Sequence, residues 1–216
     1  MNRTTLLLIP WLLGWVGLLI LDTPAKASDF CVDSAVTLQN ALLRAASNGQ
    51  DDEINLVQGI YFGNFEYSSN ESKALSIRGG YSQDCAGRAL DPSNTLLDGQ
   101  QIGPVLAISG PGEGAEFTIE GMTFQHGKAT ADSVGKGGGL SVDVGTKGSV
   151  TVRHNQVMNN SGVDGGGAYL LAGTISLNFN SIQDNESSGG HWGGGGAMVL
   201  GSVDVTNNRI QGNTST

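Results

Sequence analysis

The segments FTIEGMTFQHG (117–127), VTVRHNQVMNN (150–160), ISLNFNSIQDN (175–185) and VDVTNNRIQGN (203–213) align without gaps, their starts 33, 25 and 28 residues apart. Between them recurs a second element, GGGLSV (137–142), GGGAYL (165–170) and GGGAMV (194–199). Self-similarity at a period of ~20–50 residues marks a solenoid, propeller or array built from one repeated unit. Within the unit, apolar residues alternate over very short runs: Val150 and Val152, Ile175 and Leu177, Val203 and Val205. Val157, Ile182 and Ile210 make a second column, and Leu140 with Val142, Ala168 with Leu170 and Ala197 with Val199 a third. Period-two alternation sends these residues to one face, so each unit reads as three short strands whose aliphatic columns stack inward.

The asparagines add a second periodic signal. Asn155, Asn180 and Asn208 occupy one position of the repeat, and Asn160, Asn185 and Asn213 the position five residues later. Asn tolerates left-handed backbone and bonds neighbouring main chain, so these positions read as two corner ladders. The first repeat departs from the pattern, with Met122 and Gly127 in their place. A propeller would need longer strands in fours, and calcium-binding nonapeptide repeats need a regular Asp that is missing here. The predicted fold class is all-β, a right-handed parallel β-helix.

Working toward the N-terminus, the repeats give way to strand-like pieces at 54–57, 60–62, 74–77, 95–97 and 105–108. Ahead of them, residues 34–48 place Val36, Leu38, Leu42, Leu43 and Ala46 at helical spacing before Gly49, which predicts one short helix capping the first coils through Leu38, Leu42 and Leu43. Arg3, the apolar run 6–21 and Ala25-Lys26-Ala27 have the form of a signal peptide cut before Ser28, with a retained anchor as the alternative. The expected organisation is a signal peptide (1–27), a cap with first coils (28–110), and repeat coils (111–216) that read as truncated.

Of the 216 residues, 34 are Gly and 5 are Pro, which without a three-residue period excludes collagen. The formal charge of −9 argues against nucleic-acid partners and against a peripheral membrane role, and no second apolar run calls for membrane insertion after cleavage. Cys31 and Cys85 are the only cysteines. In an oxidising compartment they form one disulfide, with two buried free thiols as the alternative.

Gly-Gly-Ala before an apolar or aromatic residue (166–169, 195–198), combined with the apolar-x-x-Asn element (157–160, 182–185, 210–213), resembles the repeats of polymorphic outer membrane proteins. That resemblance covers about residues 117–216 and implies a β-helix displayed at a bacterial surface and engaged in adhesion. Phe stands in the second element only at Phe124, where Gly127 replaces the Asn. The N-terminal stretch resembles the entry region of bacterial pectin-lyase-like β-helix proteins, in which a helix covers the open end.

Chemistry is less legible. Asp143, Asp164, Asp184 and Asp204 form no acidic column, Arg153 and Arg209 read as solubilising charges, and His126 and His154 stand alone at corners. No metal site and no cofactor is called for. His191-Trp192, in a Ser/Gly loop, is the one candidate binding element, able to stack on a sugar or anchor a partner. The expected function is a secreted or cell-surface adhesion and binding scaffold, with extracellular polysaccharide or a host or cell-surface protein as partner. The alternative is a polysaccharide lyase or glycoside hydrolase.

Overall fold

The computed structural model describes residues 27–130, 136–189 and 194–216. The expected signal peptide lies outside them but for Ala27. In chain order the elements of the first half are β1 (Ser28–Val32), α1 (Ala35–Ala45), β2 (Asp52–Val57), β3 (Gly59–Phe62), β4 (Phe65–Ser68), β5 (Leu75–Tyr81), β6 (Thr95–Asp98) and β7 (Leu106–Ser109). Then follow β8 (Glu116–Glu120), β9 (Thr123–Gln125), β10 (Leu140–Asp143), β11 (Ser149–Arg153), β12 (Gln156–Met158), β13 (Ser161–Gly162), β14 (Ala168–Asn178), β15 (Ser181–Gln183), β16 (Glu186–Ser187), β17 (Ala197–Thr206), β18 (Arg209–Gln211) and β19 (Thr214–Ser215).

These strands form parallel sheets of ten, six and three strands. Each pass of the chain, here called a rung, leaves a strand beside its predecessor; the second sheet runs β18-β15-β12-β9-β6-β3 and the third β13-β16-β19. The largest sheet curls into an open half-barrel. In β14 one continuous strand pairs with β10 over its first residues and with β11 over its last, while Asp143 and Ser149 are separated by a loop in the preceding rung.

Register carries the aliphatic columns through the stack. Val150 faces Ile175 and Val152 faces Leu177; Val157 faces Ile182; Leu140 faces Ala168 and Val142 faces Leu170. The columns extend back through Phe117 and Ile119 to Leu75 and Ile77. All these residues belong to one buried cluster, whereas Val203, Val205 and Ile210, on the last described rung, are exposed. The glycine triplets have a steric reason. A Cβ on Gly138, Gly166 or Gly195 would come within 2.2 Å of the carbonyl oxygen of Ser161, Glu186 or Thr214, so these residues let the main chain of one sheet lie against that of the next.

The helix is shorter than its sequence pattern, and its buried stripe is different. Ser34 caps α1, its side chain accepting from the Thr37 N–H. Leu38, Ala41, Leu42 and Ala45 are buried against β1, β2 and β4. Leu43, expected from sequence to pack on the first coils, and Val36, counted in the apolar spacing, are exposed, because they lie on the other side of the helical turn. Strands β1 and β4 escaped the sequence reading. In β4 only Phe65 and Tyr67 face inward, too short a run to stand out.

Candidate functional site

The two asparagine positions form hydrogen-bonded ladders. Asn155 Nδ2 donates to the Ile119 carbonyl of the preceding rung, and its Oδ1 accepts the Met122 N–H; Asn180 Oδ1 accepts the Asn155 N–H at 3.0 Å, and Asn208 Oδ1 that of Asn180 at 2.8 Å. The second ladder repeats the scheme: Gly127 N–H to Asn160, Asn160 N–H to Asn185, Asn185 N–H to Asn213. The residue before each of these corner positions, which Met122 and Gly127 fill in the first repeat, is left-handed: Gly121, His154, Phe179 and Asn207 at one corner, His126, Asn159, Asp184 and Gly212 at the other. Such a backbone costs ~1–2 kcal/mol for a non-Gly residue, and the ladder bonds offset it. His154 is not isolated, for its ring stacks on Phe179 at 5.0 Å. These groups are occupied in holding corners.

A second set of polar groups is also consumed internally. Glu120, on the outer side of β8 yet buried, meets Arg88 at 2.8 Å, Arg153 at 2.9 Å and Arg78 at 4.0 Å; Arg78 in turn meets Glu53 at 2.7 Å. Burial pushes the Glu120 carboxyl up, but the Arg88 hydrogen bond and the charges of Arg88, Arg153 and Arg78 outweigh it and hold the group below the usual carboxylate range. Arg153 is therefore an ion-pair partner, which corrects its reading as a solubilising charge. The repeat alignment already puts Glu120 and Arg153 in one column; Arg88 comes from an irregular loop with no such signal.

His126 is likewise engaged. Its Nδ1 lies 2.9 Å from Asp98 Oδ2, which also accepts from Gln125 Nε2, while Oδ1 accepts the Gln100 N–H. Burial raises the Asp98 carboxyl, and these hydrogen bonds with the His126 charge bring it net below its ordinary range. Cys31 and Cys85 are bonded, with their Cα atoms 5.9 Å apart, tying β1 to the loop after β5. His191 and Trp192 lie outside the described residues.

Among the open concavities of the described residues is a groove of about 450 Å³ on the outer face of the largest sheet, crossing β4, β7 and β10. Outward positions alternate with the buried columns, so Ala107, Ser109 and Ser141 make a low floor. Glu66 stands on the side of α1, its main chain clamped by Gln39, which donates to the Glu66 carbonyl and accepts its N–H. On the opposite side the Lys136 ammonium sits 4.5 Å from the centre of the Tyr169 ring and 3.7 Å from Asp143 Oδ2. Burial pulls the Lys136 ammonium down, but Tyr169 and Asp143 outweigh it, and the group stays cationic beyond the ordinary lysine range. The sequence reading missed Glu66, Lys136 and Tyr169 and saw in Asp143 only an Asp outside any acidic column. Only the register of the three rungs brings Glu66, Ala107 and Ser141 into one row.

Comparison with known protein families, with curated proteins and with solved structures found no match to the chain.

Proposed function

We propose that the chain is an exported right-handed parallel β-helix, capped at its first rung by α1, that serves as an adhesion and binding scaffold in the medium or at a bacterial surface. The groove over β4, β7 and β10 carries this reading. The Glu66 carboxylate, the Asp143–Lys136 pair and the hydroxyls of Ser109 and Ser141 line it, while Glu120, Asp98 and the ladder asparagines are bonded within the protein away from it. A concave site with a few convergent polar groups is the expected form of a ligand site. The leader-like residues 1–27 and the repeats that resemble those of polymorphic outer membrane proteins support export and display. Extracellular polysaccharide is the favoured partner, a host or cell-surface protein the other.

One observation favours a carbohydrate-cleaving enzyme instead, since Glu66 and Asp143 open on the same groove and cleavage of glycosidic bonds uses paired carboxylates. Incubation with neutral and acidic polysaccharides separates the two readings. The scaffold reading expects retention of a polysaccharide without new reducing ends or ultraviolet-absorbing unsaturated product. Turnover lost on replacing Glu66 or Asp143 would establish the enzyme.

A further inference from the structure

The charges and the floor of this groove restrict what it accepts. Two carboxylates and one ammonium line it, and the ammonium is already committed to Asp143 at 3.7 Å. The Glu66 carboxylate, exposed on the α1 side, has its main chain fixed by Gln39 and no ion pair among the described residues. The chain as a whole has the same sign, for beyond residue 27 it carries nineteen acidic against nine basic residues. A ligand with one carboxylate per repeating unit would add like charge to this field, and at a Debye length of ~8 Å in physiological salt that repulsion reaches across the groove.

An uncharged polyol meets no such obstacle. Its hydroxyls donate to Glu66 and Asp143 and accept from Lys136, and neighbouring hydroxyls suit a donor and an acceptor set 3.7 Å apart. Ser109 and Ser141 serve in either sense, and the small floor lets a flat ring approach the sheet. Direction follows from the strands. The groove crosses β4, β7 and β10 in hydrogen-bonded order, so at ~4.8 Å per strand Glu66 and Asp143 belong to strands ~10 Å apart along the stack. An elongated ligand touching both runs across the rungs, not along them.

Resting on the binding reading above, we infer that the groove is a subsite for an uncharged, hydroxyl-rich glycan laid across three rungs, with Glu66 and Asp143 accepting, Lys136 donating, and polyuronates refused. Lys136 acts as a specificity-determining residue because it places the groove's one charged donor beside the Asp143 acceptor.

The test is calorimetric titration of the protein from Ser28 to Thr216 with gluco-, manno- and galacto-oligosaccharides, oligogalacturonate and oligoalginate, at fixed salt. At least one neutral oligosaccharide is expected to bind, and both uronates to bind at least tenfold more weakly. Asp143→Ala and Glu66→Ala should each weaken the neutral ligand about tenfold, the loss of one charged hydrogen bond. Ser141→Leu, which raises the floor, should abolish binding, and Glu113→Ala, away from the groove, should leave it unchanged. Circular dichroism and the thermal midpoint show that each variant is folded, and Lys136→Gln provides a second, milder lesion if Ser141→Leu is not. Uronates binding as tightly as the neutral sugars would overturn the ligand class while leaving the scaffold reading intact. Neutral binding indifferent to all the groove variants would overturn the location. Absence of binding and cleavage with every glycan would remove the polysaccharide reading itself, and this inference with it.

Discussion

Residues 28–110 and residues 117–216 belong to one stack of parallel strands, yet they are held by different kinds of contact. The first region relies on contacts that occur once. These are the Cys31–Cys85 bond, the Tyr61 hydroxyl lying 2.8 Å from the carbonyl oxygens of Val32 and Val57, the edge contact of Tyr67 with Phe117, and the helix laid on β1, β2 and β4. The second repeats one contact, an Asn bridging each rung to the next, over columns of aliphatic residues. The contrast teaches that a stack of near-neighbour contacts can be stabilised rung by rung, with local damage staying local except where a single cluster spans the seam. Glu120 is such a cluster, since its arginines come from both sides, and the Tyr67–Phe117 contact crosses at the same place in sequence.

The largest expected effect lies in the first region. Replacing Cys85 with Ser opens a link across 54 residues of sequence separation, which the chain-entropy model values at ~4 kcal/mol. Limited proteolysis read by mass spectrometry should then find new cuts between residues 31 and 85 and none beyond 150. Cuts spreading through the repeats would show that the two regions unfold as one.

In the repeats, Asn180→Ala leaves the Asn155 N–H and the Val152 carbonyl without their buried partner. Denaturant unfolding should register a loss of ~2–4 kcal/mol, as two unsatisfied buried groups imply. Asn213→Ala, on the last described rung, should lose about half as much, for its side chain is only half-buried. Equal losses would mean that ladder position has no energetic meaning.

Acid titration examines the seam. Glu120 has a folded-state pKa below its unfolded one, so its stabilisation is complete above the ordinary carboxylate range and disappears as pH falls through the lowered value. Glu120→Gln should cost ~1–2 kcal/mol at neutral pH, discounted because its arginines are partly exposed, and should flatten that acid limb. An unchanged acid limb would show that the cluster does not join the regions.

The smallest effect has the opposite sign. Asp52 ends the apolar column that runs through Leu75 and Phe117, and burial, reinforced by Asp51 and Glu71 against the hydrogen bond from Asn48, raises its carboxyl. Its folded-state pKa exceeds the unfolded one, so stability is greatest below the unfolded value and falls as pH rises through the raised one. Asp52→Asn should therefore stabilise the protein at neutral pH by ~1 kcal/mol and retain the Asn48 contact. Destabilisation at pH 7 would show that the carboxylate is needed in charged form.

How much of this could be read in advance follows the same division. The repeats were legible because every rung asks the same of each position. Val150, Ile175 and Val203 align in sequence and in register, and so do the asparagines. Where a contact joins unlike residues from different rungs, alignment loses its power. Nothing local to Arg88 marks it as a partner of Glu120, and nothing in Phe65-Glu66-Tyr67-Ser68 marks a strand that borders a groove. Leu43 was misplaced for a related reason: hydrophobicity alone does not tell which side of a short helix finds a neighbour. The groove was invisible because its floor is made of unremarkable Ala and Ser brought together by the stacking of rungs.

The asparagine ladder also bears on how a chain of near-identical rungs finds its threading. A slip of one residue turns each strand over, sends the aliphatic columns into water and takes both asparagines off their partners. A slip of one whole rung does none of this, because each ladder position meets another Asn. The ladder proofreads phase but cannot count. Numbering the rungs falls to the features that occur once, Cys31 with Cys85 at the first strand and Glu120 with its three arginines at the seam. The irregular end of the molecule is the origin from which the regular end is measured.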